Sequence, residues 1–576
     1  MTDIVLFNGI VHTVDAADSV REAVAISGGR IVAVGSNEEV HAQAAPGARM
    51  VDLAGRTVVP GFVDAHPHLD AVGLRLSKPS FGLPKSIEDV LAVVRREAAA
   101  RQPGEWIVCN PIASEPDVFA YPAALAEGHW PNRHDLDRAA PDNPVYIEPE
   151  ALTAPGVAIV NSRALKIAGI TAETEVPDGV RILVDADGQP TGVIEDDNFP
   201  KRLPDQYGTM RPNCALFPMI PPLTHDDMVD AVRTGMRAFN QRGVTAIYEG
   251  HGIPKPQQRA YLDLYHRGEL SIRTYFVVSF PVPLYRDETA ARALIAETSL
   301  YAGGNGFGDD LLKLGGLGFS FDSATAIGAS LMREPYVGAR GVPWHGVQHV
   351  DEAIFEQIAL DAARAGLRVQ VQCSGGLAID KVLAAFEAVD RQVPLAGKRW
   401  AIEHCQFPSP ENMAVCRKLG LVATSTANFL WNYGDIYRRS LGQQLSDDAV
   451  PYRDWIDAGV MIAQSTDGRP SDPLFAIWQM LARQDGIAGG SFGLPRQKIT
   501  RQEALRLYTY NAAYCAFWEN DVGSIEPGKY ADLAILSDDI MTIPEDAIPD
   551  VAVEATLLGG EIIHDAGVFG EGGAAS

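Results

Sequence analysis

Eight short, nearly continuous apolar runs recur along the chain: "TVVPGFVDAH", "GVTAIYEG", "SIRTYFVVSF", "DLLKLGGLGF", "LRVQVQCSGG", "RWAIEHCQ", "LVATSTANF" and "VMIAQSTDG". Amphipathic stretches such as "DEAIFEQIALDAARAG" and "GLAIDKVLAAFEAVD" lie between them. Apolar strands alternating with helices predict an α/β fold whose parallel sheet is covered on both faces. Eight such units predict a closed (β/α)8 barrel of the TIM type, with its active site at the C-terminal strand ends. Polar residues collect there: His66, His68, Lys313, Gln372, His404 and Asp467 each fall at or near the end of a run.

The two ends of the chain read differently. "DIVLFNGIVHTVD", "REAVAISGGRIVAVG" and "MVDLAGRTVVP" are short strands broken by Asn-Gly and Gly-Gly turns, as are "GSIEPGKYADLAILS" and "VAVEATLLGGEIIHD" near the C-terminus. These patterns predict hairpins, so residues 1–58 and 518–576 are expected to build one small composite β-sandwich, ending in a loose tail "GEGGAAS". Residues 59–517 are then the barrel. The interval after the first run far exceeds the dozen or so residues a crossover needs, so an inserted subdomain is expected at about 75–235, capping the barrel mouth. Its predicted parts are the helix "SIEDVLAVVRREAAARQ", the strand "NPVYIEP" and the hairpin "VRILVDADGQPTGVIED".

Lys and Arg number 48 against 74 Asp and Glu, a formal charge of −26. This excludes the usual electrostatics of nucleic-acid or anionic-membrane binding and points to a solvated acidic surface. The N-terminus "MTDIVLFNGIVHTVD" lacks a basic segment followed by a long apolar one, and no later stretch reaches membrane-spanning length. Six cysteines stand without a CxxC pair, which suggests neither a zinc knuckle nor a disulfide framework. A cytoplasmic protein acting on a small molecule is expected, with homo-oligomerisation by base rate.

In an extended strand alternate side chains face the same way, so His66 and His68 present two imidazoles that one ion can bridge. Pro67 between them restricts φ and removes a donor, which fits a strand ending there. A turn carrying two unrelated histidines is the competing interpretation. For Asp467 the alternative is a helix-capping or turn aspartate, and for His404 a satisfied buried histidine. Lys313 sits between Leu312 and Leu314, and a buried lysine is costly unless paired or modified. Together these strand ends supply the nitrogen and oxygen ligands that a borderline divalent ion takes.

The chain resembles the amidohydrolase superfamily, in its YtcJ-like branch (amidohydrolase family 3), nearly end to end. The motifs that carry the likeness are "DIVLFNGIVHTVD", "TVVPGFVDAHPHLD", "IVNSRALKIAGI", "GQPTGVIED", "GVTAIYEG", "RWAIEHCQ", the Asp467 stretch and "GSIEPGKYADLAILS". The resemblance implies a metal-binding (β/α)8 barrel with a composite β-sandwich. It also implies metal ligands at His66, His68, Lys313, His404 and Asp467, with Lys313 in the place of a lysine that can become a metal-bridging carbamate. The chain departs from the pattern at three places. Gln372 stands where relatives carry a fifth-strand histidine, with Gly376 in place of an aspartate; Gly156 replaces a histidine in "PGVAIVNS"; and "KLGGLGF" lacks its usual aspartate. These departures favour one strongly held ion, most simply Zn2+, over two.

The expected chemistry is metal-assisted hydrolysis of an amide-like, non-peptide carbon–nitrogen bond. Asp467 would take the water proton and return it to the leaving amine, and His404 would help to stabilise the oxyanion. Candidate substrate contacts are Gln372, His251 after the second run, Trp344 in "VPWHGVQH" and Arg469, with His345, Phe429 and Trp431 as further pocket candidates. The competing readings are a loop histidine for His251, a surface ion pair for Arg469 and core packing for the aromatic residues. A metal-dependent lyase such as a decarboxylase on the same barrel is the alternative enzyme. A non-catalytic binding protein is the alternative from another class. Product analysis separates the first and metal analysis the second.

Overall fold

The computed structural model describes residues 4–44, 46–112, 122–150, 155–177, 179–196, 216–338 and 342–570. Eight parallel strands make one sheet, labelled here β1 (Phe62–Asp64), β2 (Val244–Ile253), β3 (Arg273–Ser279), β4 (Leu312–Ser320), β5 (Val369–Cys373), β6 (Ala401–His404), β7 (Val422–Ser425) and β8 (Met461–Gln464). Each pairs in parallel with the next, from β1 through to β8. The remaining seam is drawn together by the Ala65 N–H donating to the Gln464 carbonyl at 3.3 Å and the Asp467 N–H donating to His66 at 2.8 Å. The eight predicted units are therefore the eight strands of the barrel, with a shift at the first. "TVVPGFVDAH" splits at Gly61: Thr57–Pro60 pairs with Leu533–Leu536 of the C-terminal region, and only Phe62–Asp64 joins the barrel.

Helices follow the strands with conventional end signals. Pro410–Leu419, after β6, starts from a capping box of Ser409 and Asn412 with proline in its first turn, and stops at Gly420 in the left-handed conformation. The helix after β1, Leu69–Leu76, crosses His225–Asn240 so closely that a Cβ on Gly73 would lie 1.8 Å from the Ala231 carbonyl oxygen. A side chain there would force the two helices apart. Outward-facing strand residues such as Ile247, Phe319, Val371 and Ile402 pack under the helices. The barrel's lower interior holds Val63, Ala246, Tyr248, Tyr275, Ala401 and Ala463 with helix Tyr510–Cys515 and Trp518, so the N-terminal end is plugged by side chains.

Both chain ends contribute to two further sheets. One has four strands in the order Arg30–Gly35, Ala23–Ser27, Ile4–Phe7, Arg49–Asp52; the other has six, in which Thr57–Pro60 lies between Leu533–Leu536 and Ile10–His12. Ile4, Leu6, Val24 and Ile26 of the first share a core with Val58, Leu533, Ile535 and Leu557 of the second. The expected tail falls mostly outside the described residues.

Between β1 and β2 stands a five-stranded sheet in the order Val180–Val184, Pro190–Asp196, Gly156–Val160, Val145–Ile147, Ile107–Cys109. It has apolar clusters centred on Val90, Leu136 and Ile159 and on Tyr146, Ala158 and Leu165. The predicted helix, strand and hairpin correspond to Ile87–Ala99, Val145–Ile147 and Val180–Asp196. Helix His225–Asn240, whose first turns fall inside the expected insertion, packs instead on the barrel core through Met228, Val232 and Met236. No described helix is long and apolar enough to cross a membrane.

Candidate metal centre

At the C-terminal end of the barrel the strands finish in turns that bring five side chains face to face. Asp64, the last residue of β1, is fully buried. One of its carboxylate oxygens accepts the backbone N–H groups of His66 at 3.0 Å and Thr466 at 3.1 Å, and the other accepts the hydroxyls of Thr466 at 2.5 Å and Tyr508 at 2.9 Å. This hub joins β1 to the segment after β8, where no strand ladder does so. His68, His404 and Asp467 all adopt left-handed backbone conformations, with φ of 49°, 66° and 56°. For residues other than glycine each costs about 1–3 kcal/mol, strain that collects at functional sites.

The resulting distances are short. His66 Nε2 lies 3.0 Å from His68 Nε2 and 3.3 Å from Asp467 Oδ1, and His68 Nε2 is 3.2 Å from the same oxygen. His404 Nε2 is 3.2 Å from His251 Nε2, and the His251 ring centroid is 4.0 Å from that of His66. Two overlapping sets, His66–His68–Asp467 and His66–His251–His404, each bring their ligand atoms within 4.8 Å of one another. Nitrogen and oxygen donors in this proportion fit a borderline divalent ion such as zinc. The buried Glu403 Oε2 has no hydrogen-bond partner, so part of the site's polarity is left for an ion or its ligands to satisfy.

Beneath these ligands lies Glu403, completely buried, with Oε1 3.3 Å from His66 Nδ1 and Oε2 3.5 Å from His251 Nε2. Gln370 Nε2 donates to Glu403 Oε1, and the Tyr248 hydroxyl donates to Gln370 Oε1. Gly250 makes room for them, since a Cβ there would lie 1.8 Å from both Gln370 Nε2 and Glu403 Oε1. Burial opposes protonation of His66, but the Glu403 and Asp467 carboxylates outweigh it and raise its pKa well above the ordinary value. Burial also works against ionisation of Asp467, yet hydrogen bonds from His66 and His68 hold its carboxyl well below the usual carboxylate range. Burial lowers His404 to about 4 and His251 well below its ordinary value, which keeps their lone pairs available.

The structure brings together His66, His68, His404 and Asp467, and adds His251 as a neighbour of the ligand set rather than a residue of a following loop: β2 continues through it to Ile253. Lys313 does not join them, carboxylated or otherwise. It is the second residue of β4, its Nζ lies 5.7 Å above the Trp518 ring, and Trp518 plugs the opposite end of the barrel. Ser320, seven residues further along, pairs with Gln372, and at about 3.3 Å per residue this places Lys313 on the order of 20 Å below the histidines.

Gln372 is buried on β5, where its Nε2 donates to Asp322 Oδ1 at 3.1 Å and to Ser374 Oγ at 3.0 Å. Gly376 begins the next helix, and a Cβ there would meet Arg333 Nη1 at 2.5 Å, so the missing aspartate leaves space for a guanidinium that binds Asp380. Gly156 opens a strand of the inserted sheet. Arg469 forms an ion pair with Glu150 of the insertion, which brings that subdomain to the barrel mouth. Trp344 packs on Tyr336, His345 Nδ1 lies 3.0 Å from the Met332 carbonyl, Phe429 packs on His404 at 5.5 Å, and Trp431 joins Phe475 and Trp478.

The profile of the amidohydrolase family (Amidohydro_3) matches residues 49–564. The chain belongs to the amidohydrolase family. It is 28% identical to an N-substituted formamide deformylase of Arthrobacter pascens, over 98% of this chain and 99% of that protein. It is 24% identical to the putative amidohydrolase YtcJ of Bacillus subtilis (strain 168), over 97% and 98% respectively. The fold matches an uncharacterized metal-dependent hydrolase from Pyrococcus furiosus with a TM-score of 0.70 at 21% identity, covering 94% of this chain and 100% of that one.

Proposed function

We propose that this amidohydrolase is a metal-dependent hydrolase of an amide-like, non-peptide carbon–nitrogen bond in a small molecule. The observation that carries the proposal is the convergence of four imidazoles and the Asp467 carboxylate on one point at the C-terminal face of the barrel. Likeness to the formamide deformylase along almost the whole of both chains supports a small N-substituted amide as the substrate class.

His66, His68 and Asp467, with His404 and His251, would hold one divalent ion, taken here as zinc. The two ligand sets share His66, and one imidazole nitrogen offers a single lone pair, which favours one ion over two. A bound divalent ion polarises a carbonyl and lowers the pKa of water toward about 7. The rest falls to the protein. Asp467, ionised and hydrogen-bonded, accepts the proton of the attacking water and hands it to the departing amine nitrogen. His404, neutral through burial, contributes a lone pair or a hydrogen bond rather than a positive charge. Asp322 and Ser374 occupy the amide nitrogen of Gln372, which leaves its carbonyl oxygen to accept a substrate N–H. Arg469, tied to Glu150, and Trp344 shape the entrance.

Five described cysteines are free and buried, which supports a reducing, cytoplasmic setting; a homo-oligomer is the accompanying expectation. The test is amine release from N-substituted formamides by zinc-loaded enzyme in H2(18)O. Label appearing in the acid product, and its loss in Asp467→Asn and in the double variant His66→Ala/His68→Ala, is the expected result. Wild-type turnover in either variant on a confirmed substrate ends the proposal.

A further inference from the structure

A line of buried polar side chains crosses the barrel one layer below the metal ligands. It starts at Tyr248 on β2, passes to Gln370 on β5 and Glu403 on β6, and ends at His66 after β1. Each link has a fixed direction. The Tyr248 hydroxyl donates to Gln370 Oε1, so the amide nitrogen of Gln370 faces the other way and donates to Glu403 Oε1. That oxygen lies 3.3 Å from His66 Nδ1, and a carboxylate accepts but does not donate. A proton on His66 Nδ1 faces that acceptor. When an ion takes the place of the proton between His66 and Asp467, Nε2, 3.0 Å from His68 Nε2 and 3.3 Å from Asp467 Oδ1, would turn its lone pair toward the site.

The surroundings hold the chain in place. Tyr248, Gln370, Glu403 and His66 are all completely buried, so water does not compete for these groups. Gly250 is the gap that admits both Gln370 and Glu403, and the Arg368 guanidinium lies 4.8 Å from the Tyr248 ring centre, capping the far end.

We propose that Glu403 is a positioning residue: it selects the Nδ1-protonated form of His66, and Gln370 and Tyr248 fix the direction in which it does so. A carboxylate behind a metal-binding imidazole sets the ring's tautomer and raises its basicity, and losing such a partner typically weakens metal affinity roughly 10–100-fold. The inference rests on the proposed metal site but concerns residues that need not touch the ion.

The test measures zinc dissociation constants by chelator competition in the purified full-length protein, together with 15N-histidine spectra of the zinc-loaded forms. Wild type is expected to show a slowly exchanging His66 Nδ1–H resonance. Glu403→Ala is expected to lose that resonance and bind zinc roughly 10–100-fold more weakly, and Tyr248→Phe to weaken binding by a smaller factor of the same sign. A second pair of variants separates the acceptor from packing. Glu403→Gln can place its amide oxygen where Glu403 Oε1 meets Gln370 Nε2 and His66 Nδ1, keeping the acceptor without its charge, whereas Glu403→Leu fills a similar volume with no acceptor. Glu403→Gln should therefore keep the His66 Nδ1–H resonance and bind zinc more tightly than Glu403→Leu, which a general loss of packing would not produce.

Wild-type affinity in Glu403→Ala, equal affinity in Glu403→Gln and Glu403→Leu, or a zinc-form crystal structure with a Glu403 oxygen coordinated to the ion each overturns the proposal. If Glu403→Ala does not fold, the Tyr248→Phe and the Glu403→Gln against Glu403→Leu comparisons decide the matter. If His66→Ala/His68→Ala binds zinc as wild type does, the metal-site reading itself has failed.

Discussion

Replacing Asp64 should separate the barrel's seam from its metal centre in a graded way. Its four hydrogen-bond partners all donate to it, two backbone N–H groups and two hydroxyls, and these bonds favour the carboxylate against the rise in pKa that burial causes. Asp64→Asn keeps one oxygen for the His66 and Thr466 N–H groups but turns an NH2 toward the Thr466 and Tyr508 hydroxyls. Two charge-assisted bonds are lost and partly replaced, a cost of about 2–4 kcal/mol. Asp64→Ala also orphans two buried N–H groups at about 1–3 kcal/mol each. Tyr508→Phe removes one bond and should cost about 1 kcal/mol. Denaturant unfolding of the zinc-loaded protein should rank the losses as Asp64→Ala, then Asp64→Asn, then Tyr508→Phe. Because the same carboxylate seats both the His66 and Asp467 loops, Asp64→Asn should also weaken zinc binding about tenfold. If Asp64→Asn unfolds within about 0.5 kcal/mol of wild type, or costs less than Tyr508→Phe, the seam is not held as described.

Asp532 grips Arg273 through two hydrogen bonds of 2.6 and 2.9 Å, with side chains only 1% and 6% exposed; Asp532→Ala should lose about 3–5 kcal/mol, whereas Arg273→Met with Asp532→Leu should lose much less, as read from unfolding midpoints. Exhaustive chelation should lower the melting temperature by removing an ion that only the folded arrangement of His66, His68 and Asp467 can hold, and zinc at about 100 times its Kd should restore about 2.7 kcal/mol. Burial pushes Asp322 up to about 7 against its hydrogen bonds from Ser374, Leu331, Gly375 and Gln372. A carboxyl raised on folding binds its proton more tightly in the native state, so its contribution is largest below about pH 4 and is lost as the pH rises to about 7. Wild type should therefore lose stability relative to Asp322→Asn as the pH rises through that window; identical slopes there contradict the assignment.

The barrel was legible because each strand buries both faces and so reads as an apolar run, and the residues that cluster at its mouth were legible where such a run ended in a polar residue, as at His66, His404 and Asp467. Lys313 misled for the same reason. "DLLKLGGLGF" reads as a run with a lysine in it, but the strand starts only at Leu312 and continues through glycines to Ser320, so the lysine marks the bottom of the barrel. His251 reads from the sequence as lying after the second strand, yet the strand carries through Gly250 and Gly252 to Ile253. Glu403, beside His404, is absent from the candidates the sequence offers. A carboxylate enclosed by Ile402 and His404 in an apolar run is itself a signal, since burying one without partners costs several kcal/mol. Its partners, Gln370 and Tyr248, come from distant strands, and no local pattern announces their meeting.

The six-stranded sheet sets Thr57–Pro60 directly against Leu533–Leu536, so an early segment of the polypeptide waits for one of the last. At ribosomal speeds of 5–20 residues per second, that wait is on the order of half a minute or longer, during which the Val58 and Val59 side chains, fully buried in the finished molecule, lack their partner strand. A polypeptide cut short before residue 533 keeps that edge open permanently. The order of synthesis thus leaves one apolar strand edge uncovered until Leu533–Leu536, near the other end of the sequence, has emerged.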